Sequence, residues 1–196
     1  MFDEGVYRLA LITLLSHPYG QPNILSSINF DFKTWDGTAP TASVFPDGCG
    51  YWKDKPIKPY ACEHRWPEVR NMVAWRKVAG LSGAGLLFYT EGNVFAMTRG
   101  DDTGKAFVAV NKGASGFYYT FPARMPAGTY CNVVAQGDQK IEDCYPCKST
   151  CPHHLTVGAD GHVQVNLAGR EAVAIHIQAM VTSPSNKDAE PTVAVE

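Results

Sequence analysis

Val163-Gln164-Val165-Asn166-Leu167 alternates apolar and polar residues at a period of two, the pattern of a strand with one face buried and one in water. Outward from it, short runs of the same kind lie at Leu86–Thr90, Val94–Thr98, Ala106–Asn111, Phe117–Phe121, Thr129–Ala135, Leu155–Val157 and Ala172–Gln178. Turn residues separate them, among them Gly92-Asn93, Gly113, Gly128, Asp160-Gly161 and Gly169. About eight short strands at this spacing predict an antiparallel, Greek-key β-sandwich over 84–180. Gly80-Leu81-Ser82-Gly83-Ala84-Gly85 marks its upstream boundary. The polar stretch 182–196 predicts a disordered tail.

The first 80 residues read differently. Val6 to Leu15 predicts a helix, stopped by Pro18 and Gly20, whose apolar positions run nearly all the way round. Such a helix is buried on most sides, and the rest of the chain offers little to cover it, so the sequence reads as cut, with its true start upstream. Asn23–Ser27 predicts a short strand, Ile28 to Ala61 a long Pro- and Gly-containing loop, and about His64 to Ala79 a second helix. In that helix Trp66, Val69, Met72 and Val73 form the expected buried stripe, with Arg65, Arg70, Arg76 and Lys77 toward water. Helix, strand, loop, helix is one and a half units of an α/β layer, so the fold class is α/β followed by all-β.

Composition narrows the function. The 196 residues carry 17 Lys+Arg against 19 Asp+Glu, a formal net charge of −2, which argues against nucleic-acid or anionic-membrane partners. No run of 18 apolar residues is present to span a bilayer. Six cysteines in a chain with 18 Gly and 13 Pro point to an oxidising compartment, although Met1-Phe2-Asp3-Glu4 does not open a signal peptide.

The cysteines permit 15 connectivities. Cys49 with Cys62 would close the long loop onto the second helix. Cys131 with Cys144 would tie a strand to its successor and leave Cys147–Cys151 as a local loop; the pairing of these four stays open. Cys144, Cys147, Cys151 and His153-His154 have two short gaps suited to zinc but lack a second well-spaced ligand pair, and a redox Cys-x-x-Cys would need a strand–helix context. Arg99-Gly100-Asp101 spells an adhesion tripeptide and also makes an ordinary turn. Asp36, Asp47 and Asp54 lack the spacing of a calcium loop. No nucleophile elbow, phosphate loop or His-Glu-x-x-His occurs.

Several blocks together are more specific. They are Tyr7-Arg8-Leu9-Ala10, Ser16-His17-Pro18-Tyr19-Gly20, Ser26-Ser27, Cys62-Glu63-His64-Arg65-Trp66, Val69-Arg70-Asn71-Met72-Val73, Pro126-Ala127-Gly128-Thr129-Tyr130-Cys131 and Ala174-Ile175-His176. In this order, from about residue 3 to 180, the chain resembles the animal-type alpha-amylases of glycoside hydrolase family 13. The resemblance implies that residues 1–80 end a catalytic (β/α)₈ TIM barrel, with Phe2–Pro18 its seventh helix and Asn23–Ser27 its eighth strand. Residues 84–180 would be the C-terminal β domain.

Retaining glycosidases work with two carboxylates about 5 Å apart, which a barrel presents at its strand ends. The resemblance places these, and the structural calcium ligands, on strands this chain lacks, so it implies no catalytic residue and no metal ligand here. It expects an intact secreted, monomeric enzyme that needs calcium and cleaves α-1,4 bonds in starch or glycogen, the chain alone being inactive. Asn23 stands where chloride-activated members carry an Arg, and an uncharged amide is a weak anion ligand. The gap from Cys49 to Cys62, the loop around Trp35-Asp36-Gly37, and Cys147 and Cys151 depart from the family pattern. The alternative is a non-catalytic starch-binding or structural module, in which Trp35, Tyr51, Trp52 or Trp66 would stack on sugar rings.

Overall fold

The computed structural model describes residues 4–29, 48–50, 58–83, 86–134, 147, 151 and 153–181. In chain order the described elements are helices α1 (Glu4–Ser16) and α2 (Pro67–Ala79), then β1 (Leu87–Glu91), β2 (Val94–Gly100), β3 (Gly104–Asn111), β4 (Phe117–Phe121), β5 (Gly128–Cys131), β6 (His154–Val157), β7 (Val163–Leu167) and β8 (Glu171–His176). They form two four-stranded antiparallel sheets, ordered β1-β2-β3-β8 and β4-β7-β6-β5. β5, β6 and β7 are successive neighbours and β4 lies beside β7, a Greek-key arrangement.

The sheets pack as a sandwich, and the helix pair adds a third layer. On β3, Phe107 and Ala109 face the second sheet, where Phe121, Val163, Val165 and Leu167 meet them. The alternate residues Ala106, Val108 and Val110, with Ala172 and Ala174 of β8, face Leu9, Ile12, Leu15, Met72 and Trp75 of the helices. A strand covered on both sides needs apolar residues at every position, which is why β3 reads as a near-continuous apolar run. β7 has water on one side and keeps its alternation, buried and exposed by turns.

The small alanines facing the helices let α2 approach closely. Trp75, fully buried, donates its indole N–H to the carbonyls of Phe107 (3.2 Å) and Ile175 (2.9 Å). Asn71 adds a bond from Nδ2 to the Val133 carbonyl at 2.9 Å. These polar handles fix the rotation of α2, while burial of Trp75 contributes on the order of 2–3 kcal/mol.

The structure departs from the sequence reading in four places. The second helix does not run unbroken from His64: Glu63–Arg65 is a 3₁₀ turn, and Trp66 is extended (φ −60°, ψ 133°) because the following Pro67 disfavours helical backbone there. With Trp66 outside the helix, the buried stripe shifts to Val69, Met72, Trp75 and Ala79. Val73 is then 54% exposed, and Arg76 turns inward. Asn23–Ser27 is not a strand; the chain there is extended, with exposure alternating residue by residue, but no described residue supplies it a sheet edge, and the nearest described bridge joins Ile28 to Tyr60. On α1, Leu9, Leu11, Ile12 and Leu15 are buried, whereas Val6, Ala10 and Leu14, four apart, stay exposed as an apolar stripe. The tail 182–196 lies outside the described residues. No described helix is long and apolar enough to cross a membrane.

Candidate functional site

The Cys62-Glu63-His64-Arg65-Trp66 block is a joint that holds three separate segments. Cys62 adopts a left-handed backbone (φ 53°, ψ 49°), unusual for a residue with a side chain, and two constraints hold it there. Its sulfur is bonded to Cys49, with Cα atoms 5.5 Å apart, and its N–H donates to Ser26 Oγ at 2.9 Å. That disulfide is the expected one.

The turn aims Glu63 into the interior, where it is fully buried. One carboxylate oxygen accepts the Ser27 N–H at 2.8 Å and the other the Tyr7 hydroxyl at 3.0 Å. Burial raises the Tyr7 phenol above its ordinary pKa, so it stays a donor. Ala61 N–H to Ser27 carbonyl and Asn29 N–H to Pro59 carbonyl, both 2.8 Å, extend the strapping. Arg8 of α1 pairs with the Glu68 carboxylate, and its guanidinium lies 4.7 Å from the Trp66 ring centroid. Trp66, 5% exposed, meets Tyr7 edge-on and donates Nε1–H to the Ala61 carbonyl at 3.1 Å. It is therefore a packing residue and not the sugar platform that the sequence allowed. Trp35, Tyr51 and Trp52 lie outside the described residues, as do Asp36, Asp47 and Asp54.

Asn23 has an exposed side chain that makes no hydrogen bond or ion pair among the described residues. A single amide with no cation bonded to it does not fit a chloride ion. Among the described residues the cluster that could hold a metal is Cys131, Cys147 and His154, with ligand atoms within 4.8 Å of one another, a soft set unsuited to an oxygen-seeking cation. Nor does it offer thiolates for zinc, because two of its members are joined.

The disulfide is Cys131–Cys147, with Cα atoms 5.6 Å apart, and it corrects both the Cys131–Cys144 and the Cys147–Cys151 pairings. Cys131 ends β5 and is fully buried, and the Cys147 Cα lies at bridging distance from it. Cys151 is also disulfide-bonded. Cys144 is outside the described residues.

Arg99 of the adhesion-like tripeptide is 1% exposed and cannot be read from outside. Its Nε donates to Ser82 carbonyl (3.0 Å), Nη2 to Gly80 (2.6 Å) and Nη1 to Ser16 (3.3 Å), which ties β2 to the ends of both helices. Arg76 does likewise toward the carbonyls of Leu15, His17 and Gly20. Sequence reasoning missed both clamps. Its only available signal was the lone charged residue, Arg99, in a largely apolar strand.

Chemically, the described carboxylates of this joint hold segments together. Glu63 and Glu68 are enclosed at 0% and 3% exposure and occupied by donors. Among the described residues, two clefts are lined by neither Asp nor Glu: one lies at the ends of α1 and α2, the other, about 550 Å³ and apolar, between Val6, Leu9 and Leu14 of α1 and Val94, Phe95 and Val110.

Residues 89–178 match the family described as the alpha amylase C-terminal all-beta domain. Among curated proteins the chain is similar to pancreatic alpha-amylase of Rattus norvegicus, 31% identical over 193 residues, covering 89% of this chain and 35% of that protein. It is 29% identical to alpha-amylase of Pecten maximus (93% and 35% covered) and 31% identical to that of Tribolium castaneum (88% and 34%). The chain thus spans about a third of the length of these relatives. The crystal structure of wild-type alpha-amylase I from Eisenia fetida shares its fold, with a TM-score of 0.65 at 23% identity over 88% of this chain and 35% of that one. A maltohexaose complex of the earthworm enzyme aligns with the same TM-score.

Proposed function

From a chain that is related to the animal alpha-amylases and carries their C-terminal all-β domain at residues 89–178, we propose that it forms the C-terminal part of a secreted endo-α-1,4-glucan hydrolase. Residues 1–80 are then the end of its (β/α)₈ barrel, two helices joined through an extended segment, and the sandwich supports the barrel from outside. The observation that carries this reading is the pair of surfaces left open beside the joint. The Val6–Ala10–Leu14 stripe of α1 is apolar and exposed, and extended residues 21–27 present Leu25 at 80% exposure with no strand beside them among the described residues. A barrel strand and helix are the partners that such a face and such a backbone need.

In that enzyme the nucleophile, the acid/base and the calcium ligands belong to the remaining two thirds. The chain's own work is mechanical: Glu63, Arg8 and Cys62 fix the strand-to-helix return, and Trp75 and Asn71 seat the last helix on the sandwich. The enzyme acts as a monomer on starch or glycogen, and the disulfides suit an extracellular setting. The starch-binding alternative loses Trp66, its one described aromatic candidate, to the interior.

The test is release of reducing ends from soluble starch. The purified chain alone releases none, and mixing it with the complementary catalytic segment of an animal alpha-amylase restores cleavage. Cleavage by the chain alone would overturn the reading.

A further inference from the structure

We propose that Arg76, Lys77 and Arg99 form a binding site for a small oxyanion at the joined C-terminal ends of α1 and α2. The three side chains line a cleft of about 420 Å³ whose walls include Pro18, Gly20 and Gly80. Every hydrogen bond that Arg76 and Arg99 make goes to a backbone carbonyl, those of Leu15, His17 and Gly20 for one and Ser16, Gly80 and Ser82 for the other. Among the described residues no carboxylate pairs with either arginine or with Lys77.

The charge is therefore not balanced. Two helix C-termini supply roughly half a negative charge each, about one in all, against three cationic side chains. Arg99 bears the consequence. At 1% exposure it is a buried cation with a second guanidinium nearby, and burial first, then the charge of Arg76, lower its pKa. Buried charges ordinarily have a partner of opposite sign.

The unspent donors suit an oxyanion. Each guanidinium has five N–H groups and commits three, so the pair keeps about four, in the planar forks that match carboxylate or phosphate oxygens. Lys77, exposed at the mouth, adds an adjustable point charge. Because the same arginines clamp α1 and α2 to β2, an anion seated here tightens the helix layer against the sandwich.

The test is thermal unfolding of the 196-residue chain, together with calorimetric titration, in inorganic phosphate, acetate or chloride at one ionic strength. Phosphate at about 10 mM is expected to raise the midpoint saturably over the chloride control. A rise with phosphate alone identifies a phosphate site, and an equal rise with acetate identifies a general oxyanion site that a protein carboxylate can also fill. Lys77→Glu, a change at an exposed position, should weaken the response about tenfold, and Lys77→Gln less. No rise above chloride with either anion, or an undiminished response in Lys77→Glu, overturns the proposal.

Discussion

The carboxylate of Glu63 accepts the backbone N–H of Ser27 at 2.8 Å across 36 positions of sequence. That bond holds an extended segment with no sheet to belong to, and the same carboxylate restrains α1 through Tyr7. Glu63→Ala takes the acceptor from the Ser27 N–H and the half-buried Tyr7 hydroxyl and should cost about 1–3 kcal/mol in urea unfolding. Glu63→Gln, which keeps one acceptor, should cost roughly half as much.

Trp66→Ala separates packing from sugar binding. Loss of a buried aromatic that also underlies the Arg8 guanidinium should destabilise the chain by about 3–5 kcal/mol. Mobility in starch-containing gels, compared with gels lacking starch, should be the same for the variant as for the parent. A starch-dependent difference would return Trp66 to the list of glucan contacts.

Non-reducing peptide mapping should recover Cys131 linked to Cys147. The double variant Cys131→Ala, Cys147→Ala opens a loop with a sequence separation of 16 and should lower stability by about 3 kcal/mol. A recovered Cys131–Cys144 peptide would refute the assignment.

His176 sets an acid limit. It is fully buried at the end of β8, and burial lowers its pKa from 6.5 to about 4. Above pH 6.5 the ring is neutral folded or unfolded, and the stability is intact. As pH falls from 6.5 toward 4 the unfolded chain takes up a proton that the folded chain refuses. Stability should drop across that window by on the order of 3 kcal/mol and level off below it. Denaturation midpoints of the parent and His176→Gln between pH 7 and 4 check this, since carboxylate titrations common to both cancel in the difference.

All eight strands of the sandwich were legible because short apolar or alternating runs, as in β3 and β7, and Gly-marked turns are local signals. The joint was legible only as a block of residues. That Glu63 would turn inward depends on the left-handed backbone at Cys62, and on Ser27 and Tyr7 arriving from far away in sequence. Trp75 escaped the predicted stripe because the stripe was phased from Trp66, which Pro67 excludes from the helix. The Cys49–Cys62 pair was legible, but the partner of Cys131 was not, because Cα separation in the fold decides which sulfurs meet. Asn23–Ser27 had the composition of a strand, but a strand exists only where a neighbour offers its hydrogen-bonding edge.

Strands β3 and β8 of the first sheet are buried on both faces, and this bears on where the chain can be divided. The glycine-rich stretch near residue 83 looks like a natural place for scissors. Excising the sandwich there would strip α2 from the alanine face of β3 and β8, leaving Val108 and Val110 wet and two carbonyls without the Trp75 indole. The seam in the sequence is not a seam in cooperativity. In hydrogen exchange, the amides of α2 and of β3 and β8 should open as one unit, and a swap of the β domain between relatives should carry α2 along with it.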